Sequence, residues 1–311
     1  MIDSALLQFV VAQGAGDATI RRLADFAARE GISPDCVVGM QPSEIASALG
    51  ISDKVAINIL ASREASCRLA DELRSQDIDL VWLFDPRYPE KLRSSLGKEA
   101  PPILFVKGNI ELFTRPAVGF CGARNASEKG LRVTELSTRI LAEEQVCVIS
   151  GYASGVDETA HRSAMASGGT TIMVLVDGIL RFHLRKDFRD VMTSENSLVV
   201  SQYPPNLAWI GRNAMKRNKT IAGLSDAVIL VESGASGGTY AAGMETLRQN
   251  CPLFVVDFAH PGPSAEANPF FIERGGIPIR GNGNQQPNLG KVLEVIRNPM
   301  QRHSCCEQVL F

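Results

Sequence analysis

The chain has no apolar run of the roughly 20 residues that a membrane-spanning helix needs, and its opening residues, MIDSALLQFV, carry no basic segment of the kind that begins a secretory signal. Those two absences predict a cytoplasmic protein without membrane contact. The seven cysteines form no CxxC pair and are odd in number, which argues against a disulfide framework or a cysteine-based metal site. Cys121, Cys147 and Cys251 sit in or beside apolar runs, where a thiol behaves as a small buried hydrophobe. Cys305 and Cys306 lie in the polar tail and are assigned no role. Excess charge is also lacking. Lys and Arg number 32 against 34 Asp and Glu, for a net charge of −2, so any polyanion must be met by a local patch and not by the molecule as a whole. Aromatics are only 6% of the chain, which leaves few groups for stacking: Phe120, Tyr152, Tyr203 and Trp209 are the nearest to the turns described below.

Two nucleotide-binding signatures are missing as well. A dinucleotide site needs GxGxxG at a strand end and an acid after the next strand to hold ribose. Here Gly119 and Gly122 are spaced otherwise, and the next apolar run ends in Ser150-Gly151. No GxxxxGK[ST] loop occurs, since the glycines near Gly122 and Gly234 lack its lysine. Nicotinamide chemistry and ATP hydrolysis are therefore not indicated, and the sequence calls for no cofactor, no metal and no complete catalytic constellation.

What is present is a globular composition, 45% hydrophobic and 21% charged, with length for one large domain and a smaller one. Residues 1–74 read as short helices, at 5–11, 17–30, 42–49 and 53–75, separated by glycine turns: a small all-helical domain of helix-hairpin-helix (SAM-like) type. The turn Gln13-Gly14-Ala15-Gly16-Asp17 resembles the one whose free amides meet a DNA phosphate, although an αα corner that only packs has the same signature. From residue 75 to 285, apolar runs at 80–84, 103–106, 117–121, 146–150, 171–176, 197–201, 227–231 and 253–257 alternate with helical patterns. Runs rich in Val and Ile, without polar alternation, call for strands buried on both faces. The fold class is α/β: an extended Rossmann-like parallel sheet with helices on both faces, preceded by the helical domain. Residues 286–311 supply one helix at 289–296 and a polar tail, with no room for a further domain.

Three strand-to-helix turns carry the anion-binding potential, because small residues and free amides gather there at helix N-termini. The first is Gly122-Ala123-Arg124-Asn125, where Arg124 offers a planar donor fork for phosphate oxygens. The second spans 150–157 and contributes Ser150, Gly151, Ser154 and Gly155 ahead of a helix whose Asp157 and His161 share one side. An Asp-His pair without a nucleophile nearby reads as structural hydrogen bonding. The third is Gly237-Gly238-Thr239. Between the second and third lies the densest basic segment, Arg212, Lys216, Arg217, Asn218 and Lys219; if helical, Arg212, Lys216 and Lys219 share a face by i,i+4 and i,i+3 spacing and track a phosphate backbone. Three such turns favour a polyphosphate or nucleic acid over a single small acid.

Taken together, residues 118–125 (VGFCGARN), 149–161 (ISGYASGVDETAH), 201–205 (SQYPP) and 217–226 (RNKTIAGLSD) resemble the DNA-processing protein A (DprA/Smf) family over most of residues 75–280. The resemblance implies an extended Rossmann-like domain that binds single-stranded DNA, forms a homodimer and helps load a RecA-type recombinase during natural transformation. It puts the family's phosphate-binding arginine on Arg124 and its basic segment on Arg217, Asn218 and Lys219. The chain departs from the family at Gly238-Thr239, where a serine-leucine pair is usual. Gly-Gly-Thr is similar to the phosphoribohydrolases, which carry a glutamate three residues beyond the threonine; here that residue is Ala242, and Glu245 is one turn too far along. A nucleotide-binding sensor and a nucleotide N-glycosidic-bond hydrolase thus stand as alternatives to a strand-binding mediator.

Overall fold

The computed structural model describes residues 3–282 and 286–298. The first six helices, α1 (Ser4–Val11), α2 (Asp17–Glu30), α3 (Pro34–Val38), α4 (Pro42–Leu49), α5 (Asp53–Ala61) and α6 (Arg63–Ser75), start and stop where local chemistry directs. Asp3 caps α1 by accepting from the amides of Ala5 and Leu6, and Gln41 with Glu44 forms a capping box on α4. Gly31 and Gly50 take left-handed conformations that end α2 and α4. The single helix expected over 53–75 is broken at Ser62, which caps the end of α5 and begins α6. α3, a five-residue turn opened by Pro34, is too short to leave a periodic signal.

The remaining elements are β1 (Asp79–Trp82), α7 (Glu90–Leu96), β2 (Ile103–Gly108), β3 (Ala117–Cys121), α8 (Glu128–Glu143), β4 (Cys147–Ser150), α9 (Val156–Ala166), β5 (Thr171–Val174), β6 (Ser197–Ser201), α10 (Gly211–Leu224), β7 (Ala227–Leu230), α11 (Gly238–Arg248), β8 (Leu253–Val256), α12 (Asn268–Glu273), β9 (Ile277–Ile279) and α13 (Gly290–Arg297). They build one nine-stranded sheet in the order β1-β2-β6-β5-β4-β3-β7-β8-β9. From β6 through to β9 every neighbouring pair is parallel, whereas β1 pairs with β2 and β2 with β6 antiparallel. The antiparallel edge was not legible in the sequence, because most of β2 is buried and its apolar run carries no alternation to reveal direction.

Two features of this frame position the site. The chain runs outward from β3 through β4, β5 and β6, then returns so that β7 pairs with the other side of β3. Strand order reverses there, and the crevice at the carboxyl ends of β3 and β7 is where an open α/β sheet takes its ligands. The helical region, in turn, shares one core with the sheet: Leu6, Phe9, Leu23, Leu69 and Leu73 pack with Leu80, Phe105, Met173 and Val199. Each such buried side chain stabilises by roughly 1.5–3 kcal/mol, so the helices are held firmly against the sheet. Leu289, Val292 and Ile296 anchor α13 in another core cluster beneath β7 and β8. Cys305 and Cys306 lie outside the described residues.

Candidate functional site

The three glycine turns converge. A cavity of about 330 Å³ is lined by Gly122, Ala123 and Arg124 after β3, by Gly151, Ala153 and Asp157 after β4, and by Gly234, Ser236, Gly238 and Thr239 after β7. α10 closes its wall with Ala214, Arg217, Asn218 and Ile221, residues that share a helical face. A second cavity, of about 340 Å³, shares Arg124, Ala153 and Arg217 with the first and continues along Tyr152, Ser154, Leu175, Val176, Asp177, Arg185 and Trp209. The two arginines therefore stand on the boundary between two adjoining hollows.

They do so in different ways. Arg217 is only 8% exposed, and its Nη1 donates to the Val174 carbonyl at 2.7 Å. Burial draws its guanidinium below the ordinary value while the nearby Asp157 carboxylate opposes that shift, and an arginine so placed stays charged. Room for it comes from Gly151, where a Cβ would fall 1.9 Å from Arg217 Nη1 and 2.6 Å from Asp157 Oδ2. Arg124, by contrast, is exposed at the mouth, and no described residue pairs with it by a hydrogen bond or ion pair.

The turns around these cations are tied together. Thr239 Oγ1 donates to the Gly122 carbonyl at 2.9 Å, and Asn218 Nδ2 to the Gly238 carbonyl at 3.3 Å. Gly155, at φ +75°, lets the second turn lie on the first: a Cβ there would sit 2.4 Å from the carbonyl oxygens of both Ala123 and Arg124. His161 is fully buried, with Nδ1 2.6 Å from Thr171 Oγ1 and Nε2 bonded to the Gly151 carbonyl. Burial pushes its imidazole down to about 4, so it is neutral at physiological pH and braces the turn. Asp157 accepts from the Ala153 amide at 3.4 Å and faces Arg217, in keeping with a structural Asp-His pair. Burial pushes the Cys121 thiol far up and that of Cys147 up to about 12, so both are inert hydrophobes.

Other residues singled out in the sequence lie elsewhere. Ser150 is wholly buried, and its hydroxyl donates to the Phe120 carbonyl at 2.8 Å between adjacent strands, which withdraws it from any ligand. Asn125 and Gly237 are exposed on the rims and Arg212 is exposed on α10, all outside the two cavity walls, while Ser154 lines the second cavity. Lys216 and Lys219 leave the crevice altogether: Lys216 pairs with Asp17, and Lys219 Nζ lies 2.6 Å from Glu99 Oε2, in a separate groove beneath α2. The glycine turn before α2 thus presents Asp17 to α10 by an ion pair. Among the aromatics, Phe120 and Tyr203 are buried, while Trp209 is 58% exposed.

Sequence reasoning missed three contributors. Asp177 follows β5 and lines the second cavity, on the same sheet edge as the three turns. Arg185 stacks its guanidinium 4.4 Å from the Tyr152 ring centroid and donates to the Tyr152 carbonyl at 2.6 Å. Glu232, 2% exposed, accepts from the Ser127 amide at 2.9 Å and from its hydroxyl, so the protein's own carboxylate occupies the N-terminus of α8. The N-terminus of α11, by contrast, carries no side-chain cap.

A solved structure of DNA processing protein A from Streptococcus pneumoniae superposes on the chain with a TM-score of 0.75 at 23% identity, covering 89% of this chain and 95% of that one. DNA processing protein A from Helicobacter pylori, whose structure describes a single-stranded DNA binding mode, gives a TM-score of 0.57 at 21% identity and covers 72% of this chain and 96% of that one. In sequence, protein Smf of Escherichia coli is 28% identical over 232 residues, 71% of this chain and 62% of that protein. DNA processing protein DprA of Bacillus subtilis is 27% identical over 215 residues, 68% of this chain and 71% of its own length. The match thus spans about three fifths of the Escherichia coli relative. The profile of the family described as DNA recombination-mediator protein A covers residues 79–279, more than half of the sequence, and the chain belongs to that family.

Proposed function

We propose that the crevice binds single-stranded DNA by its phosphates, and that the protein is a recombination mediator. In this reading it acts as a homodimer in the cytoplasm, helps load a RecA-type recombinase on strands taken up in natural transformation, and carries no catalytic step. The observation behind strand binding is the pairing state of the cations. Arg124 is exposed and unpaired among the described residues, and it stands beside Arg217 where two cavities meet on three amide-rich turns. Such an arrangement suits a chain of phosphates, with the backbone crossing the arginines and the hollows on each side taking the groups attached to it. The family's description as recombination mediators and the strand binding of the Helicobacter pylori protein support the pathway.

Glycosidic-bond hydrolysis has less behind it. The residue three beyond Thr239 is Ala242, which lines the first cavity where a catalytic carboxylate belongs, and Glu245 is engaged by Arg248 at 2.7 Å. Asp157, the remaining acid on that wall, is committed to the Ala153 amide and to Arg217.

The deciding measurement is fluorescence anisotropy of a labelled thymidine tract across a salt series. Affinity falls steeply with salt, and Arg124→Ala weakens it about tenfold while reducing the salt slope by about 0.7, the share of one phosphate on a single strand. Binding that ignores both salt and Arg124 would falsify the assignment of the crevice. Light scattering reads the dimer directly, and a single-protomer mass at working concentrations rules it out.

A further inference from the structure

We propose that the second cavity is a nucleobase pocket in which the Asp177 carboxylate selects guanine at one position of the bound strand. This rests on the strand-binding reading above and adds a base preference to it. The pocket has about 340 Å³, within the range of small-ligand sites, and it begins at Arg124 and Arg217, where the phosphate would lie. Its walls suit a planar ring. Trp209 is the most exposed aromatic side chain near the crevice, and Tyr152 is held edge and face by Phe182, Phe188 and Arg185.

Asp177 is the acid of that wall, and no other described residue pairs with its carboxylate by a hydrogen bond or ion pair. It is half-buried, and its loop is rigid: the Asp177 carbonyl accepts from Ser201 Oγ at 2.6 Å, and the Gly178 amide donates to the Leu207 carbonyl at 2.8 Å. A Cβ on Gly178 would lie 2.1 Å from the Pro205 carbonyl, so the Asp177 loop and the segment leading to Trp209 are packed as one unit. The backbones that carry the carboxylate and the indole are therefore tied together before any ligand arrives.

A pocket-lining carboxylate bonded only to its own backbone amide keeps acceptor capacity for the donors of a base. Adenine and cytosine each offer one amino group and thymine one ring N–H. Guanine alone presents two parallel donors, N1–H and N2–H, that meet both carboxylate oxygens at once, and bidentate charged hydrogen bonds are the strong ones. Burial raises the Asp177 carboxyl above its ordinary value, against the opposing pull of its own backbone amide and of nearby Arg181, and two donors from a bound guanine would draw it down again.

The test uses the full chain and thymidine tracts carrying one central guanine, inosine, adenine, cytosine or thymine, read by anisotropy at fixed salt. Inosine lacks only the N2 amino group. Guanine binds about tenfold more tightly than inosine or thymine, as expected for one charge-assisted hydrogen bond; Asp177→Asn removes that preference, read as the ratio of guanine-tract to inosine-tract affinity within the same variant. Equal affinities for guanine and inosine in the parent protein overturn the pocket while strand binding stands, and this comparison needs no variant to fold. Where no tract binds at all, the strand-binding reading fails, and thermal shift with GMP against IMP decides the pocket: a larger shift by GMP that Asp177→Asn abolishes supports it, and equal or absent shifts overturn it.

Discussion

The two faces of α10 carry cations of the same kind with opposite fates. Arg217 and Asn218 turn into the crevice, where Arg217 is buried against Asp157 and the Val174 carbonyl. Lys216 and Lys219, one residue to either side of that pair, turn the other way and are neutralised by Asp17 and Glu99. A buried cation held by a fixed anion and a carbonyl is part of the architecture, and losing one partner leaves the other stranded. Exposed lysine pairs contribute little and are screened by salt. Proximity in sequence therefore says little about placement on a helix: one step of about 100° decides whether a charge lines the crevice or pairs with Asp17 and Glu99.

The contrast can be broken in order of expected effect. Arg217→Ala strips the buried Val174 carbonyl of its side-chain donor and the nearby Asp157 of a neighbouring cation, so it should cost about 1–3 kcal/mol of stability and abolish oligonucleotide binding; thermal unfolding and anisotropy read the two losses. Gly151→Ala is the companion change, since its methyl falls on Arg217 Nη1 without removing any charge. A Gly151→Ala protein that binds like the parent would mean that the placement of Arg217 is irrelevant.

His161, on α9 behind the Gly151 turn, adds a pH dependence. Its folded value near 4 lies below the ordinary 6.5, so the unfolded chain takes up a proton that the folded one refuses. Stability is therefore fully present above about pH 6.5 and declines as pH falls toward 4, by up to about 3 kcal/mol at the lower end. A His161→Gln variant should flatten that part of the curve, and an unchanged pH profile in urea titrations would remove His161 as its source.

Arg124→Ala comes next, with about tenfold weaker binding and no change in melting temperature, because its side chain is exposed and supports nothing. Lys216→Ala is expected to be the smallest, within about 1 kcal/mol in stability and near the parent in strand affinity. Should Lys216→Ala weaken binding as much as Arg124→Ala, the two faces of α10 would not differ and the strand would have to cross the groove beneath α2.

Much of this was readable from residues alone. The apolar runs located the strands of the Rossmann-like frame, because a strand buried on both faces leaves no other composition open to it. The glycine turns after them located the edge, because only small residues let helix N-termini and backbone amides approach an anion. The place of Arg124 at the end of such a run was legible too, and the fold leaves it exposed there. Ser150 could not be read correctly, since its hydroxyl is spent on the Phe120 carbonyl of a strand 30 residues earlier in sequence. The same holds for Asp177, Arg185 and Glu232, whose roles arise from partners remote in the chain.

The sequence by itself determined the order of elements, the family motifs and the three glycine turns, all of which follow from short-range periodicity and local backbone chemistry. Tertiary structure alone decided which cations face the crevice, which are spent on Asp17 and Glu99, and that Glu232 fills the N-terminus of α8. Those outcomes depend on contacts between segments up to 199 residues apart, as between Lys216 and Asp17, and no local pattern encodes which charges such a contact will bring together.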